Sequence, residues 1–135
     1  MTPRPTPIPA TPDAPPILVV DDDPLVRRTI VHALTAEGWP VLDIGSPLAA
    51  SAIVTPIRAL VTDMHMPELD GYELASTLRA RHPGLPTLIL SGSHGARVGV
   101  VAGAGPVTFL PKPFRAPTLR RCIRALLDAA AVAVS

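Results

Sequence analysis

Short apolar runs that stop at polar residues constrain the fold of this chain more than any other feature. The first run, Ile17-Leu18-Val19-Val20, is wholly apolar and ends at three consecutive aspartates followed by Pro24. A strand without polar alternation is buried on both faces, which is typical of a parallel sheet. Similar short runs lie at residues 41–44, 59–62, 87–90 and 107–110. The pattern therefore predicts five parallel strands.

Helical spacing fills the intervals between these strands. Pro24 suits the first turn of a helix, and apolar residues then recur on one helical face until Gly38 ends the pattern. Further helices are predicted at residues 48–54, 70–81 and 117–130, with a weak helix at 95–102. Strands that alternate with helices predict an α/β fold, here a doubly wound (βα)5 sandwich around a five-stranded parallel sheet.

Composition divides the chain into a domain and two tails. Residues 1–16 contain seven prolines and few residues that could pack, which predicts an extended tail or linker. Such a segment could also tether or dock another domain, and both interpretations remain open. Residues 17–130 form the predicted domain, and residues 131–135 form a short C-terminal tail.

Charge and cysteine content limit the function classes. The formal net charge is +1, and the nearest approach to a basic cluster is a group of four arginines that a solvated helix face explains. We therefore expect no nucleic-acid partner. Cys122 is the only cysteine, which excludes an internal disulfide. No apolar run approaches the length that crosses a bilayer, so we expect a soluble, cytoplasmic protein without membrane contact.

Chemically active side chains follow four of the five predicted strands. They are Asp21 to Asp23, Asp63, Ser91 and Lys112. The carboxyl ends of parallel strands meet at one sheet edge, where ligands bind at the point at which strand order reverses. Clustered carboxylates suit magnesium, a hard cation that prefers oxygen ligands. An aspartate can also attack a phosphoryl group, provided that a metal and an ammonium neutralise the phosphoryl oxygens.

Four segments in order resemble the signature segments of response-regulator receiver domains. They are ILVVDDDPLVR, LVTDMHMPELDGYEL, LILSGS and FLPKPF, and the resemblance spans about residues 17–128. It implies a flavodoxin-like, CheY-like fold and a role in two-component signalling. By this resemblance, Asp63 is the phosphoacceptor. Asp21, Asp22, Asp63 and the main-chain carbonyl of His65 hold Mg2+ or Mn2+.

The same resemblance assigns the remaining site residues. Lys112 contacts the phosphoryl group, and Pro113 follows a cis Lys-Pro peptide, a form essentially restricted to proline. Ser91 is the switch hydroxyl, and Phe109 occupies the position of the switch aromatic residue. Core packing is an equal interpretation for Phe109. As a separate hypothesis, the exposed imidazole expected at His65 and the hydroxyl of Ser93 flank the path of attacking water and tune the lifetime of the phosphorylated state.

The resemblance also implies partners. A histidine kinase or histidine phosphotransfer protein supplies the phosphoryl group, and a downstream protein target receives the signal. The chain is either a single-domain regulator or the receiver of a hybrid kinase, and we expect no following DNA-binding domain. It is either a monomer or a phosphorylation-dependent dimer. We expect no enzymatic activity beyond self-phosphorylation and autodephosphorylation on Asp63.

Other interpretations accompany these assignments. Asp23 caps the first helix, Met64 and Met66 pack in the interior, and the glycines between Ser91 and Lys112 predict a short, frayed or mobile fourth helix. A phosphohydrolase of the haloacid-dehalogenase kind would need a second aspartate where His65 stands. A phosphate-independent pseudo-receiver that only binds partners is the other alternative. A dinucleotide or P-loop fold is disfavoured because neither glycine motif follows the first strand.

Overall fold

A computed structural model describes residues 14–92 and 101–134 of the chain, with side chains described as far as residue 131. Its strands are β1 (Ile17–Val20), β2 (Val41–Ile44), β3 (Ala59–Asp63), β4 (Thr87–Ser91) and β5 (Val107–Pro111). Its helices are α1 (Pro24–Thr35), α2 (Pro47–Ser51), α3 (Gly71–Arg81) and α4 (Ala116–Val134). The tail predicted at 1–16 and the weak helix predicted at 95–102 fall almost wholly on residues outside this description, and Ser93 lies outside it too.

All strand pairs are parallel, and the sheet has the order β2-β1-β3-β4-β5. The predicted α/β sandwich with five parallel strands is confirmed. The chain first moves from β1 outward to β2, and it then returns to the other side of β1 for β3. The strand order therefore reverses between β1 and β3, which is the point where sheets of this kind bind ligands.

Two apolar layers cover the two faces of the sheet, which explains why the strands lack polar alternation. On one face, Ile17 and Val19 pack with residues of α1 and α4 such as Ile30 and Ile123. On the other face, Leu18 and Val20 pack with residues of α2 and α3 such as Leu74. Side chains of the central strands β1, β3 and β4 are almost fully buried. The core thus holds the strand ends of the site in fixed register.

Helix starts follow the local sequence closely. The Asp23 carboxylate accepts hydrogen bonds from the main-chain N–H groups of Leu25 and Val26, so its predicted capping role is confirmed. Asp70 and Glu73 form a reciprocal capping box at the start of α3. Each of these side chains satisfies main-chain donors that a helix leaves unpaired at its first turn.

Two helix ends differ from the predictions. Helix α2 ends at Ser51 rather than at residue 54, and the capping residue Ala52 donates its main-chain N–H to the carbonyls of Ala49 and Ala50. Arg81 donates to the Ser51 carbonyl, and the His82 ring lies 3.4 Å from the Ile53 carbonyl. Helix α4 continues to Val134 through the predicted tail. Its alanine-rich sequence has high helix propensity, which carries the helix past its contacts with the sheet.

A buried arginine holds the segment 102–105, which leads back to β5. Arg79 of α3 is only 3% exposed. Its guanidinium donates to the carbonyls of Ala102, Gly103 and Gly105 at 2.7 to 3.0 Å, and to Leu85 and Thr87 at 2.8 and 3.0 Å. Burial lowers the pKa of Arg79, although arginine keeps its charge in proteins. We call this arrangement the Arg79 clamp.

The clamp fixes only the last part of the glycine-rich interval, and the mobility expected of the fourth helix stays a prediction. Residues 93–100 of that interval lie outside the described chain, but residues 102–105 are fixed by the clamp. A side chain at Gly103 would meet the Arg79 Cβ at 3.0 Å, and one at Gly105 would meet the Gly84 main chain at 2.7 Å. These two glycines have φ of 94° and 122° and so serve close packing rather than flexibility.

No helix within residues 14–92 and 101–134 combines the length and the apolar character needed to traverse a bilayer.

Candidate functional site

Three carboxylates meet at the edge of the sheet where strand order reverses. Asp21 and Asp22 follow β1, and Asp63 ends β3. These strands are neighbours with Val20 opposite Thr62, so Asp21 and Asp63 lie at the same level. One carboxylate oxygen from each of the three aspartates lies within 4.8 Å of the others. The predicted acidic cluster therefore exists in the structure.

Asp21 carries the most perturbed carboxylate of the cluster. It is 1% exposed, and its Oδ1 accepts a hydrogen bond of 2.9 Å from the main-chain N–H of Asp23. Burial raises the pKa of Asp21, and repulsion from Asp63 and Asp22 adds to this, against the Asp23 hydrogen bond and the charge of Lys112. Its Oδ2 is buried with no hydrogen-bond partner among the described residues. A buried carboxylate oxygen without a partner is costly, and a bound cation would satisfy it.

Lys112 supplies the positive charge of the site. Its Nζ lies 2.7 Å from Oδ1 of Asp63 and 3.8 Å from Oδ2 of Asp21. The second distance is too long for a hydrogen bond, so Asp21 gains attraction from Lys112 without satisfying its free oxygen. Burial alone would lower the pKa of Lys112, but the hydrogen bond and charge of Asp63 outweigh it and the pKa is raised. Lys112 therefore stays cationic at neutral pH.

The backbone around Lys112 fixes its direction. Its main-chain N–H donates to the carbonyl of Ser91 at 2.8 Å, just after paired residues at the ends of β4 and β5. The Lys112–Pro113 peptide is cis, as predicted. Ser91 is 5% exposed and stands one residue beyond Leu90, the partner of Asp63 in the sheet. The structure thus places Ser91 at the same edge, and its main chain anchors Lys112.

Phe109 lies away from the core. It is 37% exposed on β5, and its ring centroid is 6.1 Å from that of Tyr72 at an interplanar angle of 49°. The core-packing interpretation of Phe109 is therefore wrong, because its side chain is partly exposed on an edge strand. The aromatic pair instead joins β5 to the start of α3.

The loop after Asp63 is tightly constrained. Met64 is buried, and Met66 packs against the core, as predicted, while His65 is exposed. Gly71 donates its main-chain N–H to the Met64 carbonyl at 2.9 Å. A Cβ at Gly71 would lie 2.5 Å from the Asp63 carbonyl oxygen, so only glycine fits beside the phosphoacceptor candidate.

Glu68 adds strain to the same loop. Its φ is 76°, which is unusual for a residue other than glycine. Leu69 donates its main-chain N–H to the Pro67 carbonyl at 2.8 Å, which closes a γ-turn around Glu68. Such strain persists only where the surrounding structure holds it, and it is concentrated at functional sites.

Sequence reasoning missed one residue beside the acidic cluster. Arg27 of α1 donates through Nη1 to the main-chain carbonyl of Asp21 at 2.7 Å, and its Nε lies 3.1 Å from Oδ2 of Asp43. The sequence offers only the position of Arg27 shortly after the aspartates. Its partners are the main-chain carbonyl of Asp21, which follows β1, and the carboxylate of Asp43 in β2. Neither contact has a sequence signature.

The parallel sheet, the acidic edge and the lysine together define the class of receiver domains in two-component signalling. The description "response regulator receiver domain" matches residues 17–124, so the chain belongs to that family. A receiver domain of a two-component system is a signal-transduction module, and this is the function that the family membership gives to the chain.

Individual relatives agree with this assignment. The chain is 39% identical over 114 residues to the response regulator MprA of Mycobacterium leprae, covering 82% of this chain and 50% of that protein. It therefore spans about half the length of that relative. Among solved structures, FixJ-N is 30% identical with a TM-score of 0.73, over 84% of this chain and 94% of the other. A response regulator receiver protein from Sinorhizobium medicae is 27% identical with a TM-score of 0.79, and the match covers 89% of this chain and 99% of the other.

Proposed function

We propose that Asp63 is the residue that accepts a phosphoryl group from a phosphohistidine. The observation that carries the proposal is the contact of 2.7 Å between Asp63 Oδ1 and Lys112 Nζ, next to two further carboxylates. In the transfer, a carboxylate oxygen of Asp63 attacks phosphorus and forms a P–O bond. The P–N bond to the donor histidine breaks, and the imidazole leaves with the electron pair and takes up a proton. The product is an acyl phosphate on Asp63.

Magnesium or manganese fits the oxygen donors of the site. Asp21, Asp22, Asp63 and the main-chain carbonyl of His65 would hold it, and the unpartnered Oδ2 of Asp21 is the observation in favour. The bound cation would supply charge neutralisation at the phosphoryl oxygens. The protein contributes the rigid edge of the sheet on which these oxygens are fixed.

Lys112 has two roles in this proposal. In the free protein, its ammonium holds the Asp63 carboxylate at the mouth of the site. During transfer, the same ammonium neutralises charge on the phosphoryl oxygens, because its raised pKa keeps it protonated at neutral pH. Ser91, at the end of the neighbouring strand, would then donate its hydroxyl to the new phosphate.

The output of the domain would run through protein contacts. Ser91 and Phe109 would relay phosphorylation to the surface around β5 and α4, where the exposed Phe109 ring meets Tyr72. The upstream partner would be a histidine kinase or a histidine phosphotransfer protein, and the downstream partner a protein target in the cytoplasm rather than a nucleic acid. The only covalent chemistry of the domain would be gain and loss of phosphate on Asp63.

Intact mass after incubation with Mg2+ and a small-molecule phosphodonor tests the proposal. Wild type should gain one phosphoryl mass, and the gain should be absent from Asp63→Asn and from protein treated with EDTA. Asp128→Asn removes an exposed carboxylate on α4 and should behave as wild type. A phosphoryl gain that survives in Asp63→Asn would refute the assignment of the acceptor. No gain in wild type under any condition would favour a partner-binding domain that does not use phosphate.

A further inference from the structure

Arg27 joins three segments of the chain beside the acidic cluster. It projects from α1, donates to the main-chain carbonyl of Asp21 at 2.7 Å and forms an ion pair of 3.1 Å with Asp43 at the end of β2. The Arg27 side chain is 22% exposed, compared with 46% for that of Asp43. The loop that carries Asp21 and Asp22 is therefore braced against the neighbouring strand by one guanidinium.

Gly45 provides the space for this guanidinium. A Cβ at Gly45 would lie 2.8 Å from Nη1 of Arg27 and 3.3 Å from its Cζ. The backbone of Gly45 does not have positive φ, and the atoms that a new Cβ would meet all belong to the guanidinium end of Arg27. The guanidinium of Arg27 therefore packs directly against the backbone of Gly45 while it reaches the Asp21 carbonyl.

The contacts of Arg27 leave the metal-facing oxygen of Asp21 free. Arg27 holds the main-chain carbonyl of Asp21, and the Asp23 N–H holds its Oδ1. With both groups held, Oδ2 is the atom left without a hydrogen bond. Within the described residues, the ion pair of Arg27 is with Asp43, and none links it to the three clustered carboxylates. Arg27 therefore orients Asp21 without neutralising it.

We propose that Arg27, oriented by Asp43, is a positioning residue for the divalent-cation site. It holds the loop after β1 in the conformation that directs the free oxygen of Asp21 into the acidic cluster. The inference rests on the proposed function, since it requires that the cluster binds a cation. Outer residues that orient metal ligands change metal affinity by about tenfold to a hundredfold when they are removed.

Two explanations of Arg27 predict opposite changes. If Arg27 acted only through its charge, Arg27→Gln would remove a positive group near an acidic site and strengthen cation binding. If Arg27 positions Asp21, the same substitution releases the loop and weakens binding. Arg27→Lys keeps the charge but lacks the planar fork that reaches two partners at once. Positioning therefore predicts weaker binding in both variants.

The experiment measures Mn2+ binding to the full chain, without phosphodonor, from the free Mn2+ signal in electron paramagnetic resonance. We expect Arg27→Gln and Arg27→Lys to raise the dissociation constant about tenfold. Asp43→Asn should have a smaller effect, and that effect should disappear in the Arg27→Gln background. Arg124→Gln removes an ion pair with Glu37, between α4 and the end of α1, and should leave Mn2+ affinity unchanged. Circular dichroism at the assay temperature identifies a variant that is unfolded.

The outcomes separate this inference from the proposed function. Wild type that binds no Mn2+ would overturn both. Wild type that binds, together with Arg27→Gln and Arg27→Lys variants that are folded and bind equally or more tightly, would overturn the positioning role alone. If Arg27→Gln does not fold, Arg27→Lys decides the question.

Discussion

Replacing Asp21 with asparagine should stabilise the domain while abolishing its response to magnesium. The substitution Asp21→Asn keeps the shape of the side chain and removes its charge. The amide oxygen can still accept the 2.9 Å hydrogen bond from the main-chain N–H of Asp23. What changes is the cost of burying a charged group, together with the repulsion between this carboxylate and its two acidic neighbours.

The size of the effect follows from the geometry. At the 4.8 Å limit on the separation of their nearest oxygens, two carboxylate charges repel by about 3.5 kcal/mol at an effective dielectric constant of about 20. Asp21 has two such neighbours, and the attraction of Lys112 at 3.8 Å offsets roughly one of them. Solvent screening at the exposed Asp22 reduces the repulsion energy that is left after this offset. We therefore expect Asp21→Asn to raise the free energy of unfolding by about 1–2 kcal/mol at about pH 7 without divalent cations.

The pH dependence of this gain has a defined sign. The pKa of Asp21 is raised in the folded state above its usual value of 3.8. The folded protein therefore binds this proton more tightly than the unfolded chain does. The stability from this group is complete below the unfolded pKa and is lost as pH rises through the folded pKa. The advantage of Asp21→Asn should accordingly shrink as pH falls through the folded pKa, where wild type also becomes neutral at this position.

Denaturant unfolding of both proteins, with and without Mg2+, measures these differences. At about ten times its dissociation constant, Mg2+ should stabilise wild type by about 1.4 kcal/mol and leave Asp21→Asn unaffected. Asp128→Asn, on the exposed face of α4, is the control and should stay within about 0.5 kcal/mol of wild type. An Asp21→Asn protein that is less stable than wild type at neutral pH without Mg2+ would refute the argument from buried repulsion.

Two further predictions concern stability. Arg79→Lys should lower the free energy of unfolding by about 2–4 kcal/mol in denaturant unfolding, because an ammonium cannot satisfy the carbonyls of the clamp. The exposed Arg121→Lys is the control, and an equal effect of both substitutions would contradict the prediction. Gly71→Ala should cost about 2 kcal/mol or more by the same assay, since its Cβ would meet the Asp63 carbonyl. Gly92→Ala has open space around the new methyl group, and an equal loss there would count against this explanation.

The sequence predicts the sheet well because strand burial and strand ends have local signals. The range of β2 is as predicted, and Asp63 closes β3 where the apolar run stops. The acidic cluster was also predictable, since parallel strands bring their carboxyl ends to one edge. Chemistry also indicated a lysine ammonium at the end of β5, whereas the use of the His65 carbonyl came from the family resemblance alone.

The features that sequence reasoning missed depend on distant main-chain partners. Arg79 lies on the buried face of α3, four residues after Ala75. No residue near it in the sequence indicates that its partners are carbonyls of residues 102–105. Arg27 likewise needs the folded position of Asp43. Arg81 also reaches the Ser51 carbonyl at the end of α2 from another helix. Such contacts form only after the fold has brought the segments together.

The Arg79 clamp binds main-chain atoms, and no side chains, of the segment 102–105 that leads to β5. Its three partners at positions 102, 103 and 105 are carbonyl oxygens, which every amino acid possesses. Substitutions at Ala104 can therefore accumulate without breaking the clamp, while Gly103 and Gly105 stay restricted by their close approaches. In a saturation library this segment should show a permissive position between two intolerant ones. A single arginine would thus let the surface sequence of this segment diverge during evolution while its path through space is preserved.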